Sequence, residues 1–304
     1  MIELIRKRTK IDFMGKRFYA LSFSAILIVM GLFTIIQVAR GTANLGIDFA
    51  GGTAVQIKFS EYVPLEDIRD ALTGNGLTDF DLQDFPNVNK VLIKTKKGGE
   101  ALGILSKKII SVLSQKFPDK NLVIDSTTEI GPKVGKRLRK DAMWAILASI
   151  AGILIYLGWR FQFRFGVGAT FATFHDVLAI LGIFYLLDKE INLILVSALL
   201  MIAGYSLTDT VVVFDRIREN LRAMHKKPII EVINQSINEV LSRTIITSLT
   251  TFFAAFSLYI LGGEIIHDFA LAIMLGIVIG TYSSIFVASP IVLLLRRKNP
   301  WGGG

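Results

Sequence analysis

Six long apolar runs punctuate the chain, at about 18 to 39, 142 to 158, 165 to 187, 191 to 214, 244 to 262 and 269 to 295. A helix needs about 20 apolar residues to cross roughly 30 Å of hydrocarbon, so each run reads as a membrane span. Residues 40 to 141, between the first two spans, have a different rhythm. Alternation predicts a strand at Thr53 to Ser60, and Pro64 opens a helix that reaches Gly74. Two more strands follow, at Thr78 to Phe85 and Lys90 to Thr95. A second helix covers Glu100 to Phe117, with Leu102, Leu105, Ile109, Ile110 and Leu113 on one face, and Asn121 to Glu129 gives a final strand. The order β-α-β-β-α-β is the ferredoxin-like split arrangement, whose helices cover one face of an antiparallel sheet. The fold class expected is an α-helical polytopic membrane protein of six transmembrane helices with a small α+β ferredoxin-like extracytoplasmic domain.

Composition agrees with lipid as a solvent. Of 304 residues, 52% are hydrophobic, too many for a soluble chain that must also cover its own surface. The chain has no cysteine, which excludes disulfides, thiolate metal sites and cysteine nucleophiles together. A net charge of +9 raises the question of nucleic acid, yet the basic residues cluster beside spans, where retention on the cytoplasmic side explains them without such a ligand.

The same bias orients the chain. Arg6, Lys7, Arg8, Lys10, Lys16 and Arg17 precede the first span, which is too long for a cleaved signal and is expected to stay as a start-transfer helix. Arg160 and Arg164, the group Arg216, Arg218, Arg222, Lys226 and Lys227, and the tail Arg296, Arg297 and Lys298 fall on that same side. The two opposite short loops are nearly free of positive charge: Asp188 to Glu190, and Gly262 to Asp268 with Glu264 and His267. The expected map is a cytoplasmic N-terminus at 1 to 17, a span at 18 to 39, an exported domain at 40 to 141, spans two to six within 142 to 295, and a cytoplasmic tail at 296 to 304. A cytoplasmic segment at 215 to 242, carrying Ile229, Ile230, Ile233, Ile237 and Leu241, is expected to lie along the membrane surface.

Two glycine motifs bracket the small domain. One is LGIDFAGGT at 45 to 53, with Asp48, Gly51 and Gly52; the other is EIGPKVG at 129 to 135, with Gly131, Pro132 and Gly135. Such residues at a domain edge serve tight turns, or they serve as hinges where a domain tilts on its base. Asp48 caps a turn or bonds a partner chain.

Ionisable residues within spans are the informative chemistry, because each costs roughly 2.5 to 3.5 kcal/mol at a helix centre. His175 and Asp176 lie near the middle of the third span, Asp209 lies in the fourth, and Arg243 opens the fifth. Asp209 sits about 9 Å inside the cytoplasmic end of its span, six residues before Asp215. Arg243 enters from that side, so an ion pair between the two is geometrically reasonable. Ser206 and Thr210 flank Asp209, and Thr247 and Thr251 follow Arg243 at helical spacing, which would complete a polar seam. The pair either fixes helix packing or carries a proton, the arginine swinging to load and release it. His175 and Asp176 either extend that relay or pack by hydrogen bonding. Gly276 and Gly280 offer a face for close helix contact. No hydrolase triad, phosphate loop, cofactor site or metal cluster is evident.

Taken together, LGIDFAGGT at 45 to 53, IGPKVG at 130 to 135, FHDV at 174 to 177, GYSLTDTVVVFDRIREN at 204 to 220 and RTIITS at 243 to 248 resemble the SecF family. These are the smaller subunits of the SecD-SecF accessory complex of the bacterial protein-export translocon. Thr208 departs from the Asn found in many relatives. The resemblance implies half of a bundle of the resistance-nodulation-division (RND) type, in the bacterial cytoplasmic (inner) membrane. It also implies use of the proton-motive force to draw preproteins outward, with Asp209 and Arg243 on the proton path. The partners it implies are SecD, the SecYEG translocon, YajC, YidC, the translocating preprotein and membrane lipid, with no nucleic acid. The alternatives are a subunit of a proton-driven lipid or drug efflux pump, and an assembly scaffold without transport.

Overall fold

The computed structural model describes residues 9–96, 103–160, 163–224 and 226–295. Arg6, Lys7, Arg8, the predicted helix start at Glu100 to Leu102, and the tail Arg296 to Lys298 lie outside the described residues. In chain order the elements are α1 (Arg17–Arg40), α2 (Ile47–Ala50), β1 (Gly52–Lys58), α3 (Leu65–Gly74), β2 (Phe80–Phe85), β3 (Lys90–Thr95), α4 (Ile104–Lys116) and β4 (Val123–Ile130). They continue with α5 (Pro132–Arg160), α6 (Phe163–Leu186), α7 (Leu193–Ala223), α8 (Ile229–Leu261), α9 (Glu264–Ser283) and α10 (Ser289–Leu294). The chain divides into a helical unit, 1–43, 144–189 and 194–304, and a small unit, 44–143 with 190–193.

In the small unit the sheet order is β2-β3-β1-β4 with every neighbouring pair antiparallel. That is the predicted split arrangement, and it follows from the period-two pattern of β1, whose Val55 and Ile57 are fully buried. Ile68 and Leu72 of α3 and Ile109 and Leu113 of α4 close the core against Val91 and Ile93 of β3. The helices cover one face only, as the apolar stripe of each dictates. Pro64 precedes α3 as expected, its missing N–H costing nothing where no helical acceptor exists.

Among the described residues six helices or helix pairs are long and apolar enough to cross a bilayer. Their outward residues are large and apolar: Phe23, Ile26 and Phe33 on α1, Trp144, Ile155 and Trp159 on α5, and Phe253 and Ile260 on α8 are exposed. Such a surface is stable only in lipid or under a partner. α6 is the central helix, buried from Phe165 to Phe184 on most faces. Close approach to α1 depends on Gly31, where a Cβ would fall 2.3 Å from the Leu178 carbonyl oxygen. Gly276 and Gly280 let α9 approach Ile202 and Ser206 of α7, the packing role expected of them. The sixth span is interrupted by one π-helical turn, Ser284–Ala288, between α9 and α10.

The segment at 215 to 242 differs from expectation. It is not a separate surface helix but the extension of α7 and α8 beyond their apolar stretches. Ile233, Ile237 and Leu241 are buried against Phe214, Ile217, Phe13 and Met14, so protein covers the stripe that the sequence offered to a membrane. Arg216 Nε donates to Glu239 Oε2 at 2.6 Å, and Asn220 Nδ2 donates to Ser236 Oγ at 3.0 Å, locking the two arms. The chain before α1 docks on the same arm of α8: Asn238 exchanges hydrogen bonds with the Ile11 backbone at 3.0 and 2.9 Å, and Met14 N–H donates to Asn234 Oδ1 at 2.9 Å.

Candidate functional site

The ionisable residues of the spans form two polar centres beside α7, and Ser284 lies between them, meeting Thr210 Oγ1 at 3.0 Å and reaching the Asp209 carboxyl. On the α8 side, Thr244 Oγ1 donates to Asp209 Oδ1 at 2.9 Å. Asp209 Oδ2 is shielded from solvent with no hydrogen-bond partner. The expected ion pair is not seen: among the described residues no salt bridge joins Asp209 to Arg243, which is exposed yet close enough for its charge to act on the carboxyl. Consecutive helical residues point about 100° apart, so a register that aims Thr244 at Asp209 turns Arg243 away. Thr247 is exposed too, its hydroxyl bonded to the Arg243 carbonyl at 2.9 Å, and Thr251 bonds the Thr247 carbonyl at 3.0 Å. These hydroxyls are satisfied within α8 and do not join Asp209.

In the second centre, Ser206 and Thr210 face α6 and the sixth span, not Asp209 as expected. They lie one turn apart, and Asp209, three residues from Ser206, lies at the edge of the same face. His175 and Asp176 are both 0% exposed. Asp176 Oδ1 bonds His175 Nδ1 at 2.9 Å, while Oδ2 accepts from Ser206 Oγ at 2.6 Å and from Ser283 Oγ at 2.9 Å. Thr210 Oγ1 meets Ser284 Oγ at 3.0 Å, where the π-helical turn begins. π turns inside helices occur often at functional sites. His175 Nε2 is buried without a partner, a state that costs about 1 to 3 kcal/mol. Weighed as secondary from sequence, this pair is the most deeply buried charge chemistry among the described residues of the spans.

Thr244, Ser283 and Ser284 were not singled out from sequence. The signal was a pair of hydroxyls, Ser283 and Ser284, inside an otherwise apolar stretch. Among the described residues no cluster of His, Asp and Glu could hold a metal ion.

The two glycine motifs meet inside the small unit. Gly52 pairs with Ile130 across β1 and β4, and Gly51, at φ 81°, lies so close to Pro132 that a Cβ would fall 2.9 Å from its Cα. A Cβ on Gly135 would fall 3.0 Å from the Phe49 carbonyl oxygen, whereas Gly131 has open space around it. Asp48 Oδ2 accepts the Leu193 N–H at 3.1 Å, capping the first residue of α7.

Six spans, a split β-α-β domain between the first and second, and two carboxylate centres within the spans define a polytopic membrane protein. Comparison with known proteins supplies the family. Residues 109–298 match the family model described as protein export membrane protein SecD/SecF, C-terminal, and residues 43–63 match the SecD/SecF GG motif. The protein translocase subunit SecF of Thermodesulfovibrio yellowstonii is 57% identical, over 98% of this chain and 99% of that one. That of Calditerrivibrio nitroreducens is 44% identical over 97% of each. A crystal structure of SecDF from Thermus thermophilus, described as a translocon-associated membrane protein, superposes with a TM-score of 0.80 at 34% identity, over 94% of this chain. This chain spans 38% of that longer one. The chain belongs to the SecD/SecF family of protein-export membrane proteins, on its SecF branch. These relatives leave the efflux-pump alternative without support.

Proposed function

We propose that this subunit uses the proton-motive force to promote preprotein translocation across the bacterial cytoplasmic membrane, with Asp209 as its proton-carrying carboxylate. One observation carries the reading: Asp209 Oδ2 is shielded and makes no hydrogen bond within normal length, while Oδ1 accepts from Thr244 and Ser284 stands close by. An oxygen so placed can take a proton without breaking an existing bond. Arg243, one residue from Thr244, supplies the fixed positive charge whose approach or withdrawal would set the affinity for that proton. Ser206, Thr210, Thr247, His175 and Asp176 stand in secondary roles on the path.

The site is open on one side. Arg243, Thr247 and Thr250 are exposed on a span helix, and lipid is a poor environment for a guanidinium. A homologous six-span subunit, SecD, would cover this face and complete a pseudo-twofold pair. The SecYEG translocon, YajC and YidC are further partners on grounds of family resemblance, and the preprotein is the cargo. Both termini would be cytoplasmic, as the distribution of Lys and Arg requires. Asp48, Gly51, Gly52, Gly131, Pro132 and Gly135 would form the hinge or interface of the exported domain.

The test is proton-motive-force-dependent completion of preprotein translocation in membrane vesicles carrying Asp209→Asn, with abundance and SecD binding measured alongside. The substitution keeps size and hydrogen bonding but cannot ionise. A folded, partner-bound complex that has lost the stimulation is expected. Full stimulation by a well-folded Asp209→Asn complex would overturn the proposal and favour a scaffold.

A further inference from the structure

We propose that His175 is the second proton-binding group of this subunit, held by Asp176 as its positioning partner, and that Ser206 and Ser283 pass its charge state to α7 and α9. This inference deepens the proton reading and rests on it. The carboxylate of Asp176 is fully engaged, taking His175 Nδ1 on one oxygen and two hydroxyls on the other. With three donors on it, Asp176 acts as an acceptor and leaves the exchangeable position elsewhere. That position is His175 Nε2, buried and without a partner.

The chemistry follows from the ring. Nδ1 donates to Asp176, which fixes the tautomer and leaves a lone pair on Nε2. Uptake of one proton at Nε2 gives an imidazolium whose Nδ1–H stays on Asp176, and the carboxylate beside it balances the new charge. No bond to carbon is made or broken, and release restores the neutral ring.

Few other charges compete. On α6 itself, the apolar stretch from Phe165 to Leu186 carries only His175 and Asp176 as ionisable groups apart from Tyr185. From α9, the Tyr282 ring lies 6.2 Å from the imidazole, its hydroxyl donating to the Ala20 carbonyl at 2.6 Å and meeting Ser24 Oγ at 3.0 Å. Between Arg17 and Arg40, α1 has no charged side chain, and the sixth span has none from Phe269 to Leu294. α7 contributes Ser206 on Asp176 and, three residues on, Asp209, whose carboxyl Thr244 holds and Ser284 reaches.

The two centres are linked along α7. Ser206, on Asp176, is one turn before Thr210, whose hydroxyl bonds the Ser206 carbonyl at 3.0 Å and reaches Ser284. Thr210 is the neighbour of Asp209 in sequence. A change of charge at His175 alters the pull on Ser206 and thereby the seat of the helix that presents Asp209.

Histidine-selective nitrogen NMR tests this on the full chain, labelled and joined to unlabelled SecD in lipid nanodiscs. His225→Gln and His267→Gln leave His175 as the sole imidazole of the chain. The expected result is an Nε2 resonance that passes from acceptor to protonated position as pH is lowered. Asp176→Asn should displace that transition, and Asp209→Asn should leave a transition in place. An Nε2 resonance fixed in one state at every pH at which the complex stays folded, in both the otherwise unaltered chain and Asp209→Asn, overturns the proposal. Since the resonance is read without transport, its failure is separable from that of Asp209, which vesicle translocation reports.

Discussion

Thr244 Oγ1 donates to Asp209 Oδ1 at 2.9 Å, and this bond, rather than an ion pair, joins the fourth and fifth spans at the carboxylate. The bond fixes one oxygen and leaves the other unpaired. It also sets the register that turns Arg243 outward. A static ion pair would hold the carboxylate charged at all times, whereas a hydroxyl donor tolerates either protonation state.

Thr244→Val removes that donor while keeping shape and branching. We expect proton-driven translocation to fall about tenfold, the equivalent of about 1.4 kcal/mol, with protein abundance unchanged. Thr244→Ser should recover most of the activity, because it restores the hydroxyl. Loss in Thr244→Ser with activity kept in Thr244→Val would mean that the methyl group, and so packing, is what Asp209 needs.

Helix packing offers a contrast between two glycines. Gly31 meets α6 so closely that a Cβ would lie 2.3 Å from the Leu178 carbonyl oxygen, while Gly204 has nothing within 4 Å. Gly31→Ala should destabilise the helical unit by about 1 to 3 kcal/mol, as overpacking does. Gly204→Ala should be close to neutral. Thermal denaturation of the purified complex followed by scattering orders the two variants, and equal midpoints would refute the packing account.

Much of this fold was legible because its two solvents leave different signatures. Runs such as 18 to 39 can be read without tertiary knowledge, and the alternation in β1 fixed which face of the sheet is buried. Lys90 to Thr95 was placed to the residue because alternation is unbroken there and a turn precedes it. What was not legible depended on rotation about a helix axis. Sequence places Asp209, Ser206 and Thr210 together, yet the fold bonds the first to Thr244 and the second to Asp176, with Ser284 shared by Asp209 and Thr210. The ion pair with Arg243 failed for the same reason, as one residue of rotation separates it from Thr244. The stripe at Ile233, Ile237 and Leu241 was seen, but a pattern cannot say whether lipid or protein covers it.

The glycine motifs can be separated into positions that demand glycine and one that does not. A Cβ on Gly52 would fall 2.1 Å from the Thr95 carbonyl oxygen, at a φ of 148°. Gly52→Ala should therefore unfold or distort the small sheet domain, lowering protease resistance of that domain in the intact chain. Gly131→Ala meets open space and a permissive backbone, so it should keep the domain folded. If Gly131→Ala nonetheless impairs translocation with the domain intact, hinge motion at that residue is supported. Unchanged translocation would confine the motif to packing.

Asp12 gives a pH dependence whose sign is fixed. The Gly15 N–H at 2.8 Å and Asn234 Nδ2 at 2.7 Å hold its carboxyl below the ordinary value of 3.8, the backbone bond being the largest cause. A lowered folded value means that the contribution is present above the ordinary carboxylate range and is lost as pH falls through the folded value. Docking of residues 11 to 15 on α8 should thus be unaffected from neutral pH to about pH 5 and weaken only below the ordinary range. The Gly15 amide proton resonance follows it, and Asp12→Ala should show the undocked position at every pH. A docked position that vanishes already near pH 6 would contradict the assignment to Asp12.

The exposed polar stripe of α8 leads to the last expectation. Thr247 and Thr250 are exposed and their hydroxyls bond carbonyls of their own helix, at 2.9 Å each, so neither needs a partner for its polarity. Arg243 does, since a guanidinium facing hydrocarbon costs roughly 2.5 to 3.5 kcal/mol even by the mildest scale. Small hydroxyl residues at the spacing of Thr247, Thr250 and Thr251 also favour close approach of another helix. A span of SecD is therefore expected to lie along this face, over Arg243. The chain has no cysteine, so Thr250→Cys introduces a single thiol on an otherwise silent background. Paired with single cysteines along the SecD spans, it should give a disulfide-linked heterodimer at one helical register, repeating every three or four positions. Trp159→Cys, on an exposed apolar helix with no polar stripe, should give none under the same oxidation. Crosslinking from Trp159 and silence at Thr250 would place SecD on the other side of the bundle and leave Arg243 to be satisfied by lipid headgroups.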